Sequence, residues 1–235
     1  MNQIIDALFA PIARLLVARG VGFADAAGRL KQAYLRAALR LAGPDATDSR
    51  ISVMTGLQRR DIVGLRGQEP DRRGVNHLSR LVALWVVSGG QPLPRKGFDA
   101  LACQVRRDVH PRTMLEQLVA AGTVSVADGM VRLEQVSYQP MPGSAGQMAY
   151  LADNAGDFLA AAVGNVLGDT PHFERAVHYN QLDAAAVAQL EVVFRAGQMA
   201  LLGQINAQAA ALQKAMPGTM RFRAGAYFYD EDEGI

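Results

Sequence analysis

The side chains best suited to a chemical role lie in one stretch, residues 47–67, which reads TDSRISVMTGLQRRDIVGLRG. Arginine can pair with guanine through two hydrogen bonds, and glutamine can pair with adenine in the same way. Serine, threonine and arginine also hydrogen-bond to phosphate oxygens, which positions a protein on a duplex. This stretch is therefore suited to the recognition of double-stranded DNA. The predicted base-reading residues are Gln58, Arg59, Arg60 and Val63, and the predicted phosphate contacts are Ser49, Arg50, Thr55 and Arg66.

Two short helices at a steep angle would present these side chains. A helix-turn-helix needs a small residue where the helices touch, a glycine in the turn and apolar residues that grip the core. Ser52 falls at the contact position, and Gly56 follows four residues later, where a positive φ is easily adopted. The second helix then starts near Gln58, and the start of a recognition helix is the part that reaches base edges. The four apolar positions are taken by Ile51, Leu57, Ile62 and Leu65.

The same stretch has a second interpretation, an ordinary helical corner whose arginines only face solvent. Asp61 lies within the predicted reading helix, and a carboxylate there opposes phosphate binding. Both interpretations predict the same local fold, so the spacing leaves the reading of bases open.

Charge is unevenly distributed along the chain, although the net charge is only +2. Residues 1–80 hold 13 lysines and arginines against 7 acidic residues, whereas residues 141–235 hold 5 against 10. The middle segment, 81–140, is nearly balanced, with 6 against 5. A basic N-terminal part joined to an acidic C-terminal part favours a polyanionic partner for the first part alone.

A second compact pattern follows the N-terminal helices. The segment SGGQPLPRKG, residues 88–97, is predicted to be a linker. Beyond it we expect two short helices and a hairpin that turns at Asp128 and Gly129, because Asp-Gly between alternating apolar residues is a strong hairpin signal. Two helices and a hairpin in about 40 residues are typical of a winged helix. Because winged helices often serve as protein-protein modules, packing or dimer contacts are favoured over DNA for this unit.

The C-terminal part is predicted to be helical, with helices over 147–167, 171–179 and 183–215. The last helix is long and apolar, which favours pairing with a second copy of the chain. The fold class is thus mainly α with small β hairpins, in tandem helix-turn-helix and winged-helix units. The predicted domains are 1–88 (helix-turn-helix), 98–137 (winged-helix-like), 147–216 (helical dimerisation region) and 217–235 (extended segment and acidic tail).

The sequence contains no residue pattern typical of a catalytic site. The four histidines have no metal-ligand spacing, and neither a phosphate-binding glycine-lysine motif nor a dinucleotide motif occurs. Cys103 is the single cysteine, so a disulfide within the chain is excluded and a reducing compartment fits. It lies in an apolar helical pattern, which predicts a buried, inert thiol. No run reaches the ~18 consecutive apolar residues of a membrane span. We therefore expect a cytoplasmic protein that is not an enzyme and has no cofactor, metal or membrane partner, and the sequence identifies no small-molecule effector.

Several phrases together resemble a family of bacterial proteins catalogued as a domain of unknown function. They are GVGFADAAGRLKQAYLRAAL, TDSRISVMTGLQRRDI, PRTMLEQLVAAGTVSV, HFERAVHYNQL and RFRAGAYFYDED, which span most of the chain. The resemblance implies a bacterial cytoplasmic protein with an N-terminal helix-turn-helix segment, and it implies no activity or site residues.

The sequence favours a DNA-binding protein, a bacterial transcriptional regulator that uses a helix-turn-helix in the major groove as a homodimer. The alternative is a non-enzymatic winged-helix scaffold or adaptor that binds another protein. Asp61 in the predicted reading helix and the low lysine content favour this alternative.

Overall fold

The computed structural model describes residues 2–68, 77–136, 138–216 and 218–232. The chain is mainly helical with one small antiparallel sheet, and it divides into two compact units, Met1–Arg72 and Arg73–Ile235. The described elements of the first unit are α1 (Asn2–Ala18), α2 (Phe23–Ala42), α3 (Asp48–Thr55) and α4 (Arg59–Leu65). Those of the second are α5 (His77–Val87), β1 (Leu93–Pro94), α6 (Arg95–Val105), α7 (Pro111–Ala120), β2 (Val124–Ala127), β3 (Met130–Leu133), α8 (Ala145–Leu167) and α9 (Ala184–Ala215).

The first unit has a small core where α2, α3 and α4 meet. Its fully buried members are Leu35 and Ala38 from α2, Ile51 from α3 and Ile62 from α4. Leu57 and Leu65 pack against this core, so all four apolar positions predicted for the corner lie in it or at its edge. In contrast, α1 contributes no buried residue, and it continues through Pro11 as one helix.

The second unit is built around an aromatic pair. The rings of Trp85 and Phe98 meet edge to face with centroids 5.8 Å apart, and both are buried. The indole Nε1–H of Trp85 donates to the backbone carbonyl of Gln91 at 2.9 Å, which satisfies the one polar atom of that side chain. Because Trp85 lies in α5, the core of this unit includes a helix that the sequence grouped with residues 1–88.

The segment 88–97 is not the linker that its composition predicted. Leu93 and Pro94 form β1, which pairs antiparallel with β3 opposite Val131 and Met130, and α6 begins directly at Arg95. The glycines and prolines of this segment shape a tight connection into the sheet. The strand order is β1-β3-β2, so the connection supplies an edge strand.

The predicted hairpin is confirmed. Strands β2 and β3 pair with Val124 opposite Leu133 and Ala127 opposite Met130. The two residues between them have positive φ, +53° at Asp128 and +74° at Gly129, as a two-residue hairpin turn requires. Val124 and Val131 point into the core of the second unit.

Two C-terminal helices are present as predicted, but the third is not. Residues 171–179, predicted to be a helix, contain none, and they lie exposed between α8 and α9. A short helix without a packed face does not offset the cost of its nucleation, which explains the error. The segment 218–232 also forms neither helix nor strand, and residues 233–235 of the predicted acidic tail lie outside the described part of the chain.

Candidate nucleic-acid interface

The corner between α3 and α4 is closed by specific hydrogen bonds at both ends of α3. At its start, the Thr47 hydroxyl accepts from the backbone N–H of Arg50 at 3.3 Å, a typical N-cap. At its end, Gly56 has φ +73° and its N–H donates to the carbonyl of Ser52 at 2.8 Å. This left-handed position is the one that the sequence assigned to glycine, because a side chain there is strained.

Two hydroxyls then fix the direction in which the chain leaves the turn. Ser52 Oγ donates to the carbonyl of Leu57 at 2.7 Å. Thr55 Oγ1 donates to the carbonyl of Ile51 at 2.7 Å and accepts from the N–H of Leu57 at 3.2 Å. The Thr55 hydroxyl is therefore occupied within the turn, and as a predicted phosphate contact it would first have to give up one of these bonds.

The outward face of α4 carries all four predicted base-reading residues. Ile62 is fully buried and faces the core, whereas Gln58, Arg59, Arg60 and Val63 are exposed. Gln58 is the N-cap residue but its side chain makes no capping hydrogen bond. Within the described residues neither arginine has a carboxylate partner. The corner thus presents two arginines, an amide and one apolar side chain together at the start of a helix.

Asp61, the one carboxylate in α4, is drawn away from this face. Its Oδ2 accepts from Lys31 Nζ on α2 at 2.8 Å, and its side chain is 26% exposed against 45% for Lys31. The ion pair neutralises the charge that opposed DNA binding in the sequence. Lys31 is a residue that the sequence did not single out, because 30 positions separate it from Asp61 and no local pattern joins them.

Arg66 is held within the first unit. Its guanidinium donates from Nε and Nη2 to Asp48 Oδ1 at 3.0 and 2.8 Å, and from Nη2 to the carbonyl of Ala46 at 2.8 Å. These bonds tie the end of α4 to the start of α3. Of the predicted phosphate contacts, Ser49 and Arg50 are exposed near this point, whereas Arg66 is engaged in the fold.

The second unit offers a different electrostatic surface. On α7, Arg112 pairs with Glu116 at 2.9 Å, and before α7, Arg106 pairs with Asp108 at 2.7 Å. The hydrogen bond from Arg106 holds the pKa of the Asp108 carboxyl below its ordinary value. Burial, with a smaller contribution from Arg106, lowers the pKa of His77. Two of the arginines in and before α7 are thus paired with neighbouring carboxylates.

Small-molecule and metal sites are less well supported. A shallow open depression of about 140 Å³ beside Trp85, Gln91 and Gln104 is smaller than ordinary ligand pockets. Across residues 2–68, 77–136, 138–216 and 218–232, no group of three or more histidine, cysteine, aspartate or glutamate side chains could hold a metal ion. Cys103 was predicted to be buried, but it is exposed on the outer side of α6, because the core positions of that helix are Phe98, Leu101 and Ala102.

Comparison with known proteins gives one family. A family model described as a family of unknown function (DUF6502) matches residues 2–235. No curated protein and no solved structure matches the chain.

Proposed function

The chain belongs to this family of unknown function, and we propose that it is a DNA-binding protein, a bacterial cytoplasmic transcriptional regulator that reads double-stranded DNA as a homodimer. In this proposal α3 and α4 form a helix-turn-helix, and α4 enters the major groove. No cofactor or metal is required.

One observation carries the proposal. Arg59 and Arg60 are exposed at the start of α4, while Asp61 beside them is paired with Lys31 on the neighbouring helix at 2.8 Å. A guanidinium without a local carboxylate partner keeps its donors for a ligand, and the fork of donors matches the O6 and N7 acceptors of guanine.

The remaining corner residues take supporting roles. Gln58, whose side chain makes no capping bond, is positioned to pair with adenine, and Val63 to contact the methyl group of thymine. Ser49 and Arg50 lie exposed on α3 and would contact phosphates. Thr55 and Arg66 contribute by holding the turn and the two helices in place.

In the same proposal the second unit is a winged helix, and the order of its elements from α5 to β3, helix–strand–helix–helix–hairpin, supports this. Its recognition-like helix, α7, carries an arginine that is already paired with Glu116. This pairing favours a protein contact over DNA for the second unit, and it supports the alternative that the protein is a winged-helix scaffold or adaptor. An absorbance ratio of 260 to 280 nm on the purified chain separates the two, because an adaptor purifies with a protein partner and without nucleic acid.

Fluorescence anisotropy with genomic duplex fragments tests the proposal. We expect the Arg59→Ala/Arg60→Ala variant to bind at least ~10-fold more weakly, since each bidentate pair contributes about 1–3 kcal/mol of discrimination. The matched control is Arg95→Ala/Lys96→Ala, which removes the same charge from the first turn of α6.

The control should bind like the wild type at fixed salt. Equal losses in both variants would mean that net charge alone drives binding, and no binding by the wild type at low salt would refute the proposal.

A further inference from the structure

The segment between α8 and α9 carries unburied apolar side chains. We refer to residues 169–182 as the connecting arm; every one of them is exposed. Phe173 and Val177 are 90% and 91% exposed and Tyr179 is 78% exposed, values close to those of a fully solvated chain. A monomeric protein rarely leaves large apolar side chains in such a series uncovered.

The start of the connecting arm is nevertheless hydrogen-bonded to α8. Asn165 on α8 accepts from the N–H of His172 at 2.8 Å, and its amide donates to the carbonyl of His172 at 3.2 Å and to Glu174 at 2.9 Å. At the other end, Asp183 caps α9 by accepting from the N–H of Ala186 at 2.7 Å. The bonds to Asn165 hold His172 and Glu174, the two neighbours of Phe173, against α8.

The total surface agrees with a missing partner. The chain exposes 17811 Å². Two independent globular domains of the sizes of the two units would together expose only about 12,200 Å². The excess, about 5,600 Å², is larger than the roughly 1,000–2,500 Å² that each chain buries in an obligate homodimer.

The exposed side of α9 is apolar, and the charges in the first half of the helix pair with each other. Leu190, Val193, Leu201 and Leu212 are between 47% and 71% exposed. The two charges in the first half of the helix, Glu191 and Arg195, pair with each other one turn apart. A neutral apolar face needs no partner of opposite charge, and it can meet an identical copy of itself across a two-fold axis.

We propose that a second copy of this chain covers the connecting arm and the exposed face of α9. The arms then contribute to a dimer interface that is completed only by the partner. The inference rests on the proposed function in that a dimeric reader of DNA needs such an interface, but the interface itself forms without DNA.

A lipid bilayer is the less favoured occupant. By length and composition alone α9 could cross a membrane, with a mean hydropathy of 1.2 in its most apolar window. However, the helix also carries Glu191, Arg195, Lys214 and several glutamines. Amide and charged side chains are costly in hydrocarbon, whereas they are tolerated at the edge of a helix pair in water.

Sedimentation equilibrium of the full chain without DNA tests the proposal. We expect a wild-type dimer and, for Phe173→Ser/Val177→Ser, a dimer dissociation constant at least about 100-fold higher, because each substitution removes buried apolar surface twice in a symmetric dimer. These residues are already exposed within one chain, so the change does not unfold it. The matched control is Val53→Ser, which alters an apolar residue that is 87% exposed on α3.

Hydrogen exchange adds a localised readout. Amides of the connecting arm should gain protection as the protein concentration rises through the dissociation constant, and Val53→Ser and Arg59→Ala/Arg60→Ala should leave the dimer unchanged. A monomeric wild type at 100 µM, or an unaffected dimer in the arm variant, would overturn this inference. Loss of DNA binding in a variant that still dimerises would concern the proposed function alone.

Discussion

Replacing Gly56 by alanine isolates the backbone contribution of the turn between α3 and α4. Gly56 has φ +73°, and a Cβ added there meets no atom within 4 Å, so the substitution adds left-handed strain without a steric clash. We expect the first unit to lose about 1–2 kcal/mol of unfolding free energy, the cost of a left-handed conformation for a residue with a Cβ. For a domain of this size, each kcal/mol corresponds to about 4–8 °C in Tm.

Gly64 provides the control within the same corner. It lies inside α4, its Cβ would also meet no atom within 4 Å, and its φ is not positive. Gly64→Ala should therefore stabilise the first unit by about 0.5–1 kcal/mol, the ordinary preference for alanine in a helix. The same change of residue is thus expected to have opposite effects eight positions apart.

Amide hydrogen exchange at Ile51 and Ile62, both fully buried in the first unit, measures these changes without interference from the second unit. A Gly56→Ala variant as stable as the wild type would refute the assignment of the turn, and equal destabilisation by Gly64→Ala would refute the helix boundaries.

Three further predictions concern the pair Lys31–Asp61, the arginines Arg50 and Arg66, and Asp157. Lys31→Met removes the partner of Asp61 and leaves its carboxylate charge unbalanced beside the outward face of α4, so it should weaken DNA binding several-fold. Asp61→Asn removes that charge and should strengthen binding. Fluorescence anisotropy measures both affinities, and a change in the same direction for the two variants would contradict the proposed role of the ion pair. Arg50→Ala should reduce the slope of log binding constant against log salt by about 0.9, while Arg66→Ala should leave the slope unchanged and lower the Tm of the first unit. The pKa of Asp157 is lowered to about 2 by hydrogen bonds from two arginines of the segment 218–232. The pKa of Asp157 in the folded protein lies below the unfolded value of about 3.9, so the stabilisation of the segment is complete above pH 4 and is lost as the pH falls toward 2. The rate at which pepsin cleaves segment 218–232 should therefore rise as the pH falls over this range.

The corner around Gly56 was predictable because its determinants are local. A small residue, a glycine four positions later and apolar residues at fixed spacing specify the turn and its core, and Ile51 and Ile62 are buried as expected. The hairpin at Asp128 and Gly129 was predictable for the same reason, since two adjacent residues with positive φ define it.

Features that depend on distant residues were not predictable. Strand β1 is only two residues long and is stabilised by pairing with β3, about 37 positions later, so its own composition indicates a linker. The partner of Asp61 is 30 positions away, and that of Arg66 is 18 positions away. Residues 171–179 were predicted to be a helix, but all of them are exposed in the described structure, and a short helix without a packed face is not stable.

Selection of binding sites from random duplex DNA by the full chain tests directly whether the protein reads DNA sequence. We expect an enriched site of two related half-sites, about 10 base pairs apart from centre to centre, because a dimer presents two copies of α4 one helical turn apart. We also expect Arg59→Ala to relax the preference at one position in each half-site and to leave the other positions unchanged. Recovery of no preferred sequence, or of the same sequence with and without Arg59, would show that α4 does not read bases.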